Sequence, residues 1–210
     1  EVLVVGVLAD GKFKSKALDE ADNLTEGSVS RFLSNNEKFG KVFESCVFQI
    51  SPKKHKTLER VMLLGMGDVE KLDNHKLRQV CSFVGKSKGK LTKSLSLYVP
   101  GNVDISDKID LLVIGLSEGD FDSGHHKSKN EKKQLEFEDL NILVENVPKD
   151  SESQAEKGLI ISESIFKVRE LVNQPANIAT PEYMVSFAKK IALENKLKIE
   201  VFSEKLVNEM

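Results

Sequence analysis

The chain has 210 residues, of which 40% are apolar, and its 31 basic and 33 acidic side chains leave a formal charge of −2. This composition is sufficient for a globular core, and so small a net charge provides no global attraction to nucleic acid or to an anionic membrane. No run of about eighteen apolar residues, as a membrane-spanning helix requires, is present.

The first predicted element is a buried strand over residues 2–8, an apolar run followed by the turn-forming Ala-Asp-Gly. A strand explains this run better than a signal peptide, because the run lacks a basic leader and a small-residue cleavage site. Since the first residue is Glu1 and not Met, we expect the native start to lie upstream. Residues 17–35 are polar, with widely spaced apolar positions, and predict one helix over about 27–34.

Three strands and a helix are predicted over residues 42–99. Residues 42–50 place apolar side chains on one parity, which is typical of a half-buried strand. The segment Arg60–Asp68 reads as a central strand that ends in a tight Gly-x-Gly turn. An apolar stripe predicts a helix over about 73–86, and alternation predicts another strand over 94–99.

Residues 107–117 are ambiguous, because a continuous apolar run fits either a buried strand or a buried helix. Residues 118–134 are rich in Gly, Asp, Lys and His and predict a surface loop. Alternation resumes at Leu140, Ile142 and Val144, which predicts a strand.

From Ser151 the period becomes helical. Ser151 and Gln154 have the spacing of a capping box, in which Ser accepts from the amide three residues on and Gln reaches back to the cap amide. One apolar stripe then continues down this helix, at Ile161, Ile165, Val168 and Val172.

A second helix is predicted to begin at Thr180-Pro181-Glu182, which supplies a capping hydroxyl, a proline where no amide is needed, and an acid at the positive helix end. Asn195 is expected to end it. Alternating apolar residues over 197–201 predict a strand, and residues 203–210 the start of a further helix. The buried face of the second helix is expected at four positions: Met184, Phe187, Ala188 and Ile191.

Between the two helices, the backbone turns through Asn173 to Asn177. Pro175 removes an amide donor and biases Gln174 away from helical conformation. The side chains of Asn173 and Asn177 are expected to satisfy loose backbone groups in the turn. Strands and helices alternate along the whole chain, which favours an α/β sandwich with its sheet covered on both faces.

Gly65-Met66-Gly67 is the best candidate for a phosphate-binding turn, because glycines allow backbone amides to approach an anion. The motif is incomplete, with no third glycine at dinucleotide spacing and no following Gly-Lys-Ser/Thr, so a tight structural turn is the favoured interpretation. For Cys46 and Cys81, which have no CxxC spacing, buried free thiols are favoured over a disulfide.

His125-His126 suggests a metal site, but adjacent residues on one loop rarely converge on one ion, so a solvated loop is favoured. The basic segments 86–93 and 127–133 have no interleaved aromatic residues for stacking on bases, and a solvated surface is favoured for both. No nucleophile lies in an elbow such as Gly-x-Ser-x-Gly. The residues by themselves therefore indicate no active site.

The segment 169–184, with the pattern Arg-x-Leu-x-Asn-x-Pro-Ala-Asn-x-x-Thr-Pro, resembles the interdomain segment of the leucyl (cytosol) aminopeptidase family. Weaker matches precede it in the family's order, at residues 2–6, 39–41, 61–67, 118–122 and 127–129. In that family Glu118-Gly119 belongs to a helix, so the resemblance favours a helix over residues 107–117. The hinge positions carried over are Arg169, Asn173, Pro175, Asn177, Thr180 and Pro181.

The resemblance implies a three-layer α/β sandwich with a mixed sheet, macro-domain-like, followed by a linker helix and the first elements of a peptidase domain. The expected division is a regulatory or assembly domain over 1–150, a linker helix and hinge over 151–179, and a truncated start of the peptidase domain over 180–210. The implied activity is the metal-dependent release of N-terminal amino acids from peptides. Its two divalent ions, Mn or Zn, would belong to a catalytic domain that this chain lacks, so no catalytic or metal residue is assigned here.

The implied partners are the chain's own catalytic domain, peptides that bind there, and identical subunits of a cytoplasmic hexamer. The expected role of this segment is then assembly or regulation. A binding module for ADP-ribose or DNA is an alternative, although the near-neutral charge and the incomplete glycine turn weigh against it. A degenerate paralogue with a purely structural role is a third.

Overall fold

A computed structural model describes residues 1–11, 14–87, 93–121 and 138–209. These residues form the strands β1 (Val2–Leu8), β2 (Ser45–Gln49), β3 (Arg60–Gly67), β4 (Ser94–Tyr98) and β5 (Asp139–Leu143). The helices are α1 (Lys16–Leu24), α2 (Ser28–Asn35), α3 (Asn74–Ser87), α4 (Ile109–Asp120), α5 (Ser151–Asn173), α6 (Pro181–Glu194) and α7 (Glu204–Glu209). The chain forms two compact units, Glu1–Phe166 and Lys167–Met210.

The first unit is built on one sheet with the strand order β2-β3-β1-β4-β5. Strands β3, β1, β4 and β5 are parallel, and β2 pairs antiparallel with β3. In the register, Val4 lies opposite Met62 on one side and Leu97 on the other. The mixed sheet agrees with the prediction. Because four strands run in one direction, their carboxyl ends meet at one edge.

Both faces of this sheet are covered by helices. Val4 of β1 packs in a cluster with residues of α3 and α4, whereas its neighbour Val5 packs in a second cluster with residues of α1 and α2. Both valine side chains are completely buried, which follows from the alternation of side chains along a strand between two apolar layers. The three-layer α/β sandwich predicted from the sequence is confirmed.

The ambiguous run 107–117 is helical, as the resemblance indicates, and belongs to α4. The helix is buried on several sides, which explains why its sequence shows no amphipathic period. It approaches α3 closely, because a Cβ at Gly119 would lie 2.1 Å from the Ser82 carbonyl oxygen. Arg78 and Glu118 join the two helices by a bidentate ion pair with N···O distances of 2.5 and 2.7 Å.

The surface loop predicted over residues 118–134 is wrong at its start, since α4 continues to Asp120. Residues 122–134 lie outside the described part of the chain. The helix α1 was also absent from the sequence prediction. Its Ser15 cap accepts a hydrogen bond from the Leu18 amide, and its apolar side chains, with Leu18 and Ala21 buried, pack against the sheet cluster.

The capping box predicted at the start of α5 is wrong. The Gln154 side chain does not return to its own helix but contacts the start of α4. There it accepts from the Ile109 amide at 2.9 Å and donates to the Ser106 carbonyl at 2.9 Å. Its carboxamide thus satisfies one of the open amides of α4, a tertiary contact that local spacing does not predict.

The buried face of α5 differs from the predicted apolar stripe. Small residues, Gly158 and Ser162, are buried, while Val168 and Val172 are exposed. A Cβ at Gly158 would lie 2.9 Å from the Asp110 carbonyl oxygen, so close contact with α4 selects the small side chain. No helix in the described residues is both long and apolar enough to cross a membrane.

The second unit contains the end of α5 together with α6 and α7. Asn195 ends α6 as predicted, but the predicted buried face is wrong at Met184 and Ala188, which are exposed. The strand predicted over residues 197–201 is also wrong, because these residues have no strand conformation. A strand requires a hydrogen-bonded neighbour, and none pairs with this segment among the described residues.

Candidate functional site

The six predicted hinge positions lie in α5, in the turn after it and at the start of α6: Arg169, Asn173, Pro175, Asn177, Thr180 and Pro181. The turn is closed by backbone hydrogen bonds. The amides of Ile178 and Ala179 donate to the Pro175 carbonyl at 2.8 and 3.0 Å. Main-chain carbonyls thus satisfy these amides, in place of the asparagine side chains that we expected to do so.

The start of α6 matches its predicted chemistry. The Thr180 hydroxyl accepts from the Tyr183 amide at 3.3 Å, and Pro181 occupies the first helical turn. Hydrogen bonds from the Glu182 amide and from Thr180 lower the pKa of the Glu182 carboxyl, which keeps a negative charge at the positive end of the helix.

The tight turn predicted at Gly65-Met66-Gly67 is wrong, because these residues form the end of strand β3. The Gly65 amide donates to the Glu44 carbonyl at 2.7 Å, and the Gly67 amide donates to the Gly40 carbonyl at 2.8 Å. A Cβ at Gly65 would lie 2.0 Å from the Lys41 carbonyl oxygen, so the close approach of residues 40–41 to β3 requires glycine at this position. Main-chain carbonyls occupy both amides, so these amides are not available to a phosphate.

The two cysteines are free thiols, as predicted. Cys81 is completely buried, and burial raises the pKa of its thiol to about 12. Cys46 is half-buried, and burial raises the pKa of its thiol as well. Neither thiol has the lowered pKa of a catalytic cysteine.

Several other candidate residues lie outside the described part of the chain, namely His125, His126 and the basic segment 127–133. The basic segment 86–93 is described only at its ends. Lys86 is exposed in the last turn of α3, and Lys93 forms an ion pair with Glu138. Among the described residues, no three His, Cys, Asp or Glu side chains converge as metal ligands would.

A cleft of about 270 Å³, here called the switch cleft, opens at the carboxyl ends of β1 and β4. The two strands lie side by side in the sheet, and the loops after them diverge around the cleft. Its lining also includes the start of α1 and Glu145, which follows β5. The lining residues are Gly6, Val7, Leu8, Asp10, Lys14, Ser15, Leu18, Tyr98, Pro100, Gly101, Asn102 and Glu145.

A buried phenol and an exposed carboxylate form a hydrogen-bonded pair in the lining of the switch cleft. Tyr98 is only 7% exposed, and its hydroxyl donates to Glu145 Oε1 at 2.8 Å. Burial raises the pKa of Tyr98, and the neighbouring Glu145 raises it further, so the phenol stays protonated and acts as the donor. Glu145 Oε2 lies 2.2 Å from where a Cβ at Gly101 would be, so glycine leaves the space that the carboxylate occupies.

Sequence reasoning did not identify the switch cleft, because Tyr98 and Glu145 are 47 positions apart. Two local signals were available. Tyr98 is a polar-tipped residue at the end of an apolar strand, and Ser15 is a capping residue directly before a helix. Neither signal says that the two residues share one cleft.

A second cleft of about 630 Å³ lies beside the ends of β1 and β3, and we call it the lysine cleft. Its cations are partly neutralised, since Lys71 pairs with Asp68 at 2.7 Å and Lys76 pairs with Asp73 at 3.8 Å. Asp10 and Glu37 add further negative charge to the lining. The lining therefore carries charges of both signs and does not form a dedicated anion site.

Residues 4–130 match the family described as "Cytosol aminopeptidase family, N-terminal domain". The chain belongs to the cytosol aminopeptidase family. This agrees with the resemblance carried by the hinge segment, although the matched residues lie upstream of the hinge.

Two relatives show how much of such a protein the chain covers. It is 28% identical to the cytosol aminopeptidase of Pseudomonas aeruginosa over 216 residues, which cover all of this chain and 42% of the relative. It is 32% identical to the probable cytosol aminopeptidase of Solibacter usitatus over 169 residues, which cover 80% of the chain and 34% of the relative. The chain thus spans less than half the length of these relatives.

Solved structures share the fold. A mutant of tomato leucine aminopeptidase superimposes on the whole chain with a TM-score of 0.83 at 20% identity, using 43% of the tomato chain. The bottromycin maturation enzyme BotP, in complex with Mn, covers 99% of the chain with a TM-score of 0.72 at 15% identity, using 39% of its own chain. These likenesses confirm the sandwich architecture.

Proposed function

We propose that the chain is the N-terminal part of a metal-dependent leucyl aminopeptidase, an enzyme that releases N-terminal amino acids from peptides. The match of residues 4–130 to the family's N-terminal domain carries the proposal. The segment itself serves assembly or regulation. In support of a non-catalytic role, two carboxylates of low exposure are engaged in ion pairs within the fold: Asp110 binds Lys157 at 2.6 Å, and Glu118 binds Arg78.

The proposed division places the regulatory domain at 1–150, the linker helix and hinge at 151–179, and the first elements of the peptidase domain at 180–210. The first part of α5 is attached to the sandwich by two side chains, since Gln154 and Lys157 both contact α4. This attachment supports a linker that starts rigidly from the regulatory domain.

The second unit exposes many large apolar side chains, and this supports a contact with another part of the whole protein. Within the described residues 184–207, its large exposed apolar side chains are Met184, Leu193, Leu197, Ile199, Val201, Phe202, Leu206 and Val207. Exposure of so many large apolar side chains is typical of a segment that another part of a protein covers. We propose that the rest of the peptidase domain covers these side chains.

The metal ions of the proposed enzyme, Mn or Zn, would activate water and polarise the scissile carbonyl. The described residues contain no cluster of three or more candidate ligands, so they do not fit this site, and we assign no step of the reaction to them. A cytoplasmic location and a hexameric assembly complete the proposal. The names of the cytosol aminopeptidase relatives support the location.

The proposal is tested by assaying two proteins on a leucyl anilide with Mn²⁺ or Zn²⁺. We expect the 210-residue chain to show no turnover and the full-length gene product to hydrolyse the substrate. Turnover by the short chain would contradict the non-catalytic role, and an inactive, correctly folded full-length protein with bound metal would contradict the enzyme assignment.

A further inference from the structure

The switch cleft lies where open parallel sheets bind ligands. The chain leaves β1 on the side of α1 and α2, whereas β3 and β4 are joined through α3 on the opposite face. The strand order therefore diverges next to β1, and the crevice outside the carboxyl ends of such strands is the usual ligand position. Position alone does not say which ligand.

The size and charge of the cleft restrict the ligand. Its volume of about 270 Å³ falls below the range of roughly 300–1,000 Å³ that is typical of drug-sized ligands, so the space suits a small molecule and not a dinucleotide. Its ionisable lining consists of two carboxylates, Asp10 and Glu145, one ammonium, Lys14, and the neutral phenol of Tyr98. This balance disfavours a phosphate and favours a ligand that carries an amine.

Glu145 is exposed, and its carboxylate is oriented by a hydrogen bond from within the cleft. The Tyr98 phenol, itself fixed by burial, donates to only one of its oxygens. An ionised carboxylate offers about four lone-pair sites, so Glu145 keeps acceptor capacity for an ammonium while its orientation is already set. A preorganised charged acceptor binds more strongly than a mobile one, because less side-chain freedom is lost on binding.

The rest of the lining supplies the complementary groups. Lys14 is exposed and provides a cation for a carboxylate. Val7, Leu18 and Pro100 provide an apolar wall. A ligand that satisfies all three parts has an ammonium, a carboxylate and an aliphatic group within a small volume.

We propose that the switch cleft binds a free aliphatic α-amino acid, with its ammonium on Glu145, its carboxylate on Lys14 and its side chain against Leu18 and Pro100. This binding does not depend on the peptidase activity proposed above, since all of the residues lie in the first unit. A free amino acid is what the proposed enzyme would release, so the cleft would let the regulatory domain sense product.

The test is isothermal titration of the 210-residue chain with L-leucine. We expect a dissociation constant of about 0.1–1 mM, which a small ligand with two charged contacts can reach. N-acetyl-leucine lacks the ammonium and is expected to bind at least about tenfold more weakly, as the loss of a charge-assisted hydrogen bond predicts. Leucinamide lacks the carboxylate and is also expected to bind more weakly, by a modest factor because Lys14 is exposed to water.

The variant Glu145→Gln sharpens the test. The amide can still accept from Tyr98, so the fold should persist, while affinity for leucine should fall by about tenfold. The matched control is Glu37→Gln in the lysine cleft, which should bind leucine like the unchanged chain. Amide chemical shifts of Gly101 and Asn102 should move with leucine in the unchanged chain.

Three outcomes would overturn the proposal. The first is no heat and no shift of these amides at leucine concentrations of about 10 mM, well above the expected dissociation constant. The second is equal affinity of the Glu145→Gln variant and the unchanged chain. The third is binding of ADP-ribose at this cleft with no binding of leucine.

Discussion

The two units of this chain use apolar residues in opposite ways. In the sandwich, strand residues such as Val4, Leu63 and Leu97 are 0–1% exposed. In the second unit, Leu193 and Leu197 are 82% and 60% exposed. Burial of an aliphatic side chain contributes about 1.5–3 kcal/mol, so the sandwich is stabilised by its own core, whereas the second unit leaves this contribution unused. An apolar pattern thus predicts the elements, but only a neighbouring layer makes them a core.

The largest expected effect is a loss of stability, and a matched pair of leucine variants compares this loss between the two units. Leu97→Ala removes a buried side chain from the cluster between the sheet and the helices α3 and α4, and we expect urea denaturation to show a loss of about 2–5 kcal/mol. Leu193→Ala changes the same residue type at an exposed position and is expected to stay within about 0.5 kcal/mol. Similar losses for both variants would contradict the difference in burial.

The next effect tests the close contact between the helices α3 and α4. Gly119→Ala places a Cβ 2.1 Å from the Ser82 carbonyl oxygen, so α3 and α4 must separate. We expect a loss of about 1–3 kcal/mol in the free energy of unfolding. A control on the exposed side of α6, Ser186→Ala, should be close to neutral. If Gly119→Ala were also neutral, the two helices would not be in close contact.

The buried thiol makes the sandwich sensitive to alkaline pH. The pKa of Cys81 is raised from 9.0 to about 12 in the folded chain, so its contribution is fully present below the unfolded pKa and falls as the pH rises from there towards 12. Between pH 8 and 10 we expect a loss of about 1–2 kcal/mol from this thiol, at about 1.4 kcal/mol per pH unit above the unfolded pKa.

This pH effect is measured by urea denaturation at both pH values. The Cys81→Ala variant should lose less stability between them than the unchanged chain. Cys46→Ala, at a half-buried site, should keep most of the effect. An identical pH dependence in the unchanged chain and in Cys81→Ala would show that the thiol ionises without cost in the fold.

The smallest expected effect lies in the second unit, at the start of α6. Thr180→Ala removes the hydroxyl that accepts from the Tyr183 amide and should destabilise the helix by about 1 kcal/mol. Hydrogen exchange at the amide of Tyr183 should become about fivefold faster, as that free energy predicts. Unchanged exchange would mean that the helix start does not depend on this cap.

Much of the fold could be predicted from short segments. The strands β1, β3, β4 and β5 follow from apolar runs bounded by turn residues, and α3 from its apolar stripe. The predictions failed where a neighbouring layer decides the outcome. The stripe at Val168 and Val172 stays exposed, and the alternation over residues 197–201 has no strand to pair with among the described residues.

The candidate site was the least predictable part. The start of α6 could be predicted from the sequence, because Thr180 and Pro181 act on amides and dihedral angles within a few residues. The switch cleft could not, because it depends on a contact between Tyr98 and Glu145 across 47 positions.

The sequence by itself determined the α/β class, most of the strands, the cap of α6 and the resemblance to the aminopeptidase family. Periodicity, turn chemistry and capping act over a few neighbouring residues, and these the sequence displays directly. Only the tertiary structure decided that Gln154 bonds to the start of α4 and how closely α4 approaches α3. It also decided that Glu145 lies beside Gly101 at the carboxyl ends of β1 and β4. Those features depend on which layers pack together, and packing joins residues that the chain keeps far apart.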